Sequence, residues 1–111
     1  MCIFCKIAAG EIPSEKVLET NDCVVIKDLN PQAPVHLLLI PKKHFKDLAD
    51  MTEEDAVTLG KSLKTVADRA DELGLKNGFR VVSNKGEDGC QSVQHLHFHI
   101  LGGKKLSEKM C

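Results

Sequence analysis

Apolar residues fall into two rhythms along the chain, and each rhythm predicts a different kind of element. Across residues 52–73 they recur every three or four positions, at Ala56, Leu59, Gly60, Leu63, Val66, Ala67, Ala70 and Leu73. That spacing lays them along one stripe of a helix. Thr52 is a suitable N-cap, Glu53, Glu54 and Asp55 complement the positive end of the helix dipole, and Gly74 supplies the stop. Residues 2–9 predict a second, shorter helix, closed by Gly10 and followed by Pro13. Elsewhere the apolar positions cluster in short runs. Residues 17–19 and 23–27 read as two strands around an Asn21-Asp22 turn. Residues 35–40 read as a buried strand stopped by Pro41, and 79–83 as a strand entered through Asn77-Gly78. A glycine-rich loop over 84–89 leads into 95–101, where His95, His97 and His99 alternate with Leu96, Phe98 and Ile100 until Gly102-Gly103. Two helices and about five strands in short, hairpin-like connections predict an α+β fold. The expectation is one domain over residues 1–111, with helices packed on an antiparallel sheet and no repeat or linker.

Composition narrows the partners. The chain is 42% hydrophobic, yet it has no Trp or Tyr and four Phe, so aliphatic side chains must fill the core. Fifteen basic residues against sixteen acidic ones leave a formal charge of −1. That balance argues against a surface that coats nucleic acid, but leaves room for a small phosphate held by local donors. No run approaches the roughly 18 consecutive apolar residues of a membrane span, and the N-terminal residues do not read as a signal peptide. Cys2, Cys5, Cys23, Cys90 and Cys111 are odd in number and irregularly spaced, unlike a disulfide framework. A reducing cytoplasm is the expected compartment.

The histidines carry the chemistry. In an extended run, same-face residues stand about 6.6 Å apart, so His95, His97 and His99 would line one face while the apolar set packs on the core. Imidazole titrates near neutrality and serves as nucleophile, general acid or base, and metal ligand. A solvated histidine-rich face or a simple metal rail would give the same run. Cys2-x-x-Cys5 has metal-ligand spacing. A redox pair has it too, although the βαβ context of thioredoxin-type pairs is missing.

The alternation at 95–101 resembles the signature of the histidine-triad family of nucleotide hydrolases and transferases. The likeness extends to Asp28-Leu29-Asn30-Pro31-Gln32-Ala33-Pro34-Val35-His36 and to Ile40-Pro41-Lys42-Lys43-His44. Gly89-Cys90-Gln91-Ser92-Val93 and Leu101-Gly102-Gly103 resemble the branch that hydrolyses nucleoside phosphoramidates. The resemblance implies that His97 is the nucleophile, passing through a nucleotidyl-histidine, with His99 at the phosphate and His95 and His36 in support. It implies that Asn84 and Ser92 hydrogen-bond the phosphate and the leaving-group side, and that Asp28 accepts from both ribose hydroxyls. The base would lie among Ile3, Phe4, Ile7, Ile26 and Leu29, positions that otherwise read as core.

Two departures stand out. Cys90 replaces a glycine whose N–H faces the phosphate in that branch, and the tail from Lys104 to Cys111 lacks the branch's Trp-Pro-Pro-Gly ending. In that branch the tail helps shape substrate preference, so the resemblance does not extend to the leaving group. Microbial members that combine a Cys pair with two histidines imply a structural, tetrahedral zinc (Zn2+) on Cys2, Cys5, His44 and His95. The family also implies a homodimer, for which the helix over 52–73 offers small residues. The implied activity is hydrolysis of purine nucleoside phosphoramidates or related nucleoside monophosphate derivatives. A dinucleoside polyphosphate hydrolase, or a nucleotide-binding regulatory protein with incidental catalysis, are the alternatives. Gln91-Ser92-Val93-Gln94 before His95 and the glycine pair after Leu101 favour the phosphoramidate branch.

Overall fold

The short apolar runs become five strands: β1 (Lys16–Glu19), β2 (Cys23–Lys27), β3 (Val35–Pro41), β4 (Phe79–Val82) and β5 (Phe98–Gly102). They form one antiparallel sheet in the order β1-β2-β3-β5-β4 in a computed structural model that describes residues 2–109. Two helices, α1 (Ile3–Ala8) and α2 (Glu53–Asp68), complete the α+β fold expected from the sequence. Cys111 lies outside the described residues. No helix among them is long and apolar enough to cross a membrane.

Register decides which side chains meet. β3 is central, with Leu38 opposite both Ile26 and His99, and Leu39 opposite both Val25 and Phe98. Cys23, Val25, Leu37, Leu39, Phe98 and Ile100 therefore share one face, where Leu59 and Val66 of α2 cover them. Val24, Ile26, Leu38 and Ile40 share the other, beneath Phe4, Ile7 and Ala8 of α1. Helices on both faces explain why residues 37–40 of β3 read as a continuous apolar run rather than an alternation. His36 and His99 sit on the α1 face, since they share parity with Leu38 across the ladder.

The structure makes three corrections. The helix over 52–73 ends at Asp68. Beyond it the chain continues in turns, with Leu73 N–H bonding to Arg69 O and Ala70 O, and Leu75 N–H bonding back to Ala70 O at 2.8 Å. Those turns keep Ala70 and Leu73 against the core, so the apolar rhythm outlasts the helix. A 3₁₀ turn, Leu48–Asp50, stands where no element was expected.

The third correction bears on the site. The expected histidine strand begins only at Phe98, so His95 and His97 precede the ladder. Their segment bonds elsewhere: Leu96 N–H donates to Phe45 O at 2.7 Å, and both histidine rings reach carbonyls at 2.8 Å. The alternation survives, because Leu96 packs with Phe98 and Ile100 on the α2 face.

Candidate functional site

Hydrogen-bond partners assign the ring protons. His97 is buried, and its Nδ1 lies 2.8 Å from His95 O. A carbonyl can only accept, so Nδ1 carries the proton and Nε2 keeps a free lone pair. The Phe4 ring stands edge-on to this imidazole, with centroids 4.9 Å apart. His99 is set the other way through His36. The main-chain N–H of Gln32 donates to His36 Nδ1 at 3.0 Å, which forces the proton of the neutral ring onto Nε2. His36 Nε2 lies 2.9 Å from His99 Nδ1 and donates to it, leaving the His99 proton on its own Nε2. Burial first, then the neighbouring His97 and His36, push the pKa of His99 below the usual histidine value, which favours this neutral form. Two rings with centroids 5.2 Å apart thus hold opposite tautomers: His97 offers a lone pair and His99 an N–H.

Asp28 closes this chain of groups. Its Oδ1 accepts from Asn30 N–H at 2.8 Å, and its Oδ2 lies 3.4 Å from His36 Nε2. The donor atoms of Asp28, His36 and His99 are close enough to share a metal. The proton that Gln32 fixes on His36 Nε2 fills that gap instead: it is donated to His99, with the Asp28 carboxylate alongside at 3.4 Å.

A second cluster has the opposite character. Cys2 Sγ and Cys5 Sγ lie 3.3 and 3.4 Å from His95 Nδ1, Cys5 Sγ lies 3.2 Å from His44 Nδ1, and the two Nδ1 atoms are 3.1 Å apart. Tetrahedral zinc with ordinary bond lengths would separate S from N by about 3.5 Å and N from N by about 3.3 Å. The separations fit. The protons fit too, because fully buried His95 donates Nε2–H to Pro41 O at 2.8 Å and aims a bare Nδ1 at the thiols. Burial pushes the His95 pKa down, towards the neutral form a ligand needs, whereas burial and the adjacent Cys2 push the Cys5 thiol up. A cation between the sulfurs would reverse that second effect. Cys2 also caps α1 by accepting Cys5 N–H at 3.2 Å, so local helix geometry brings both sulfurs to one side.

The remaining expected site residues are placed unevenly. Asn84 is half-buried at the start of the glycine-rich loop and Ser92 is exposed just beyond its end. Phe4, Ile7 and Ile26 belong to the core beneath α1, whereas Ile3 is 52% exposed and Leu29, beside Asp28, is 96% exposed. Cys90 adopts φ of 58°, in the left-handed region that glycine tolerates best. Its N–H donates to Glu87 O at 3.0 Å and is spent within the loop. Glu108 and Lys109 of the tail line a cleft of about 660 Å³ together with Val82, Asn84 and Cys90.

The sequence reading missed three contributors: the Gln32 main chain, the side chain of Gln91, and Ser83, whose hydroxyl donates to His97 O at 3.3 Å. Nothing in residue type marks a particular backbone N–H, so only the fold could show the first.

With this geometry in place, comparison with known proteins is direct. The HIT domain family matches residues 9–106, and the chain belongs to that family. It is 52% identical over 101 residues to Protein HitA of Neisseria gonorrhoeae, covering 91% of this chain and 94% of that protein. Its fold is similar to that of a histidine triad protein from Clostridium difficile, with TM-score 0.91, 47% identity, and coverage of 98% and 96% of the two chains. A HIT family hydrolase from Legionella pneumophila is similar as well, with TM-score 0.90, 41% identity and 97% of each chain covered.

Proposed function

We propose that this protein hydrolyses purine nucleoside phosphoramidates, or related nucleoside monophosphate derivatives, through a nucleotide bound covalently to His97. The observation that carries this reading is the pair of opposite tautomers: a lone pair on His97 Nε2 beside an N–H on His99 Nε2. The lone pair attacks phosphorus as the P–N bond to the leaving amine breaks. The His99 N–H hydrogen-bonds the phosphoryl oxygens, where negative charge gathers in the transition state. His97 becomes cationic while its Nδ1–H stays on His95 O, a bond that strengthens with the charge. The departing amine takes up one proton, and water cleaving the P–His97 bond releases one, so the cycle balances.

Asn84 and Ser92 would bind the phosphate on the side of the glycine-rich loop. Asp28 would accept from the ribose hydroxyls, and the exposed apolar surfaces of Leu29 and Ile3 would receive the base. The tail beside Asn84 and Cys90 would bear on the choice of leaving group. Zinc is the metal we propose for Cys2, Cys5, His44 and His95, where it would supply a closed structural centre; those thiols fit a reducing, cytoplasmic setting. A homodimer is proposed on the exposed Val57 of α2 and Val81 of edge strand β4, with open space above Gly60.

The test compares turnover of an adenosine phosphoramidate with that of a diadenosine polyphosphate, and traps the intermediate. Faster turnover of the phosphoramidate and a nucleotidyl adduct on His97 are expected. The His97→Ala variant should bind AMP within about tenfold of wild type and turn nothing over, because a nucleophile acts chiefly in the transition state. Wild-type kcat in that variant, or an adduct on His95 or His99, would defeat the proposal.

A further inference from the structure

Gln91 commits its side-chain amide to main-chain groups from three separate segments. Its Oε1 accepts Gly86 N–H at 3.0 Å, while its own N–H donates to Gly86 O at 3.0 Å, so two reciprocal bonds close the loop into a ring. Its Nε2 donates to Lys46 O at 2.7 Å and to Val93 O at 3.0 Å, which uses both amide protons. The ring is tight. A Cβ on Gly89 would come within 2.5 Å of Lys85 O, and Cys90 N–H already donates inside it. Lys85 Nζ, 3.8 Å from Asp47 Oδ2, adds a weaker tie to the segment that Gln91 grips at Lys46.

The clamp joins residues 86 and 91, and the two side chains expected to contact phosphate flank it: Asn84 before and Ser92 after. Val93 continues towards His95 and His97. One amide group therefore links the loop, the stretch that carries His44, and the stretch that carries the reactive histidine. Glutamate would keep the shape and the bond from Gly86, but would turn an acceptor towards two carbonyl oxygens at 2.7 and 3.0 Å.

We propose that Gln91 is the positioning residue of the phosphate subsite: without touching substrate, it holds Asn84 and Ser92 where they meet the phosphate. This rests on the nucleotide reading above. The phosphate, rather than the nucleoside, should feel its loss.

The experiment measures affinities of AMP and adenosine by calorimetry for wild type, Gln91→Ala and Gln91→Glu, with thermal melting of each. Wild type should prefer AMP by at least tenfold. Both variants should lose most of that preference while binding adenosine within about threefold of wild type. A preserved preference would overturn the role of Gln91, and so would an equal loss for both ligands, which marks general loosening. No preference in wild type would overturn the nucleotide reading and this inference with it. Amide exchange on the wild type gives a readout that needs no variant. Exchange at Gly86 should slow with AMP and not with adenosine, and identical rates with both would also overturn the proposal.

Discussion

Replacing His36 with alanine tests the proton chain most directly, and its cost can be worked out from the contacts. Removing the ring strands two groups: the Gln32 N–H that donates to Nδ1 and the His99 Nδ1 that accepts from Nε2. Each stranded group in a partly buried place costs about 1 kcal/mol. The space left by a buried ring adds about 1–2 kcal/mol. The sum, about 3–4 kcal/mol, corresponds to a fall in Tm on the order of 10 °C for a domain of this size. The chemical effect is separate. Without a donor at Nδ1, His99 is free to move its proton there and withdraw the N–H from the phosphoryl group. Complete removal of such a donor costs about 10²–10³ in kcat, so a partial loss of about 10- to 100-fold is expected. His36→Gln restores a donor near the position of Nε2 and should recover part of kcat without recovering the full Tm. Nitrogen NMR on wild type supplies the decisive reading. His99 should show an unprotonated Nδ1 and a protonated Nε2, with the reverse pattern on His97. Protonation of His99 Nδ1 in wild type, or unchanged kcat in His36→Ala, would refute the reasoning.

Three further outcomes are expected. About one zinc per chain should copurify under reducing conditions; Cys5→Ser should lose it and melt lower, while His97→Ala should keep it, as elemental analysis and melting will show. Asp28→Asn should weaken substrates that carry both ribose hydroxyls more than 2′-deoxy ones, since a carboxylate accepts two charge-assisted bonds, and equal losses would make Asp28 structural. Stability should fall with acid: burial depresses the pKa values of His95 and His99, so the unfolded chain binds more protons, and the loss begins as pH falls through about 6.5 and ends below the depressed folded values. Melting curves between pH 8 and pH 5 that stay flat would contradict it.

The fold was legible in sequence wherever burial is one-sided or continuous. The α2 stripe, the continuous run at residues 37–40 of β3 and the alternation around Phe98 each reflect a surface pressed on a core, and the elements lie close to where those patterns placed them. Ends were less legible, because Ala70 and Leu73 keep packing after the helix stops and Leu96 keeps packing before β5 starts. Burial sets the apolar rhythm; hydrogen bonds set the boundaries. The same division runs through the site. Cys2 and Cys5 were marked by their spacing, His44 and His95 were added to them by the family resemblance, and the fold brings all four together. The tautomers were not legible, since Pro41 O, His95 O and Gln32 N–H are backbone groups that every sequence has. Gln91 escaped for a related reason: its three partners are all main chain, so no complementary side chain pointed to it.

The cluster that joins the Cys2 and Cys5 thiols at α1 to the segment just before β5 has a consequence for folding order. Cys2 and Cys5 stand 93 and 90 residues ahead of His95. β5, which follows His95 at once, inserts between β3 and β4, so the sheet itself is unfinished until that late stretch arrives. A chain emerging from the ribosome would carry α1 with its thiols out of reach of His95 until that stretch had followed. Contacts of such long range slow folding, since the entropy of closing the loop must be met before packing rewards it. Once made, the link works in the opposite sense. A metal held by both ends of that loop in the folded chain, and released on unfolding, would add its binding free energy to the stability of the fold. Slow assembly and slow loss would then have one origin, and chelation would shorten the lifetime of the native state far more than it would alter its shape.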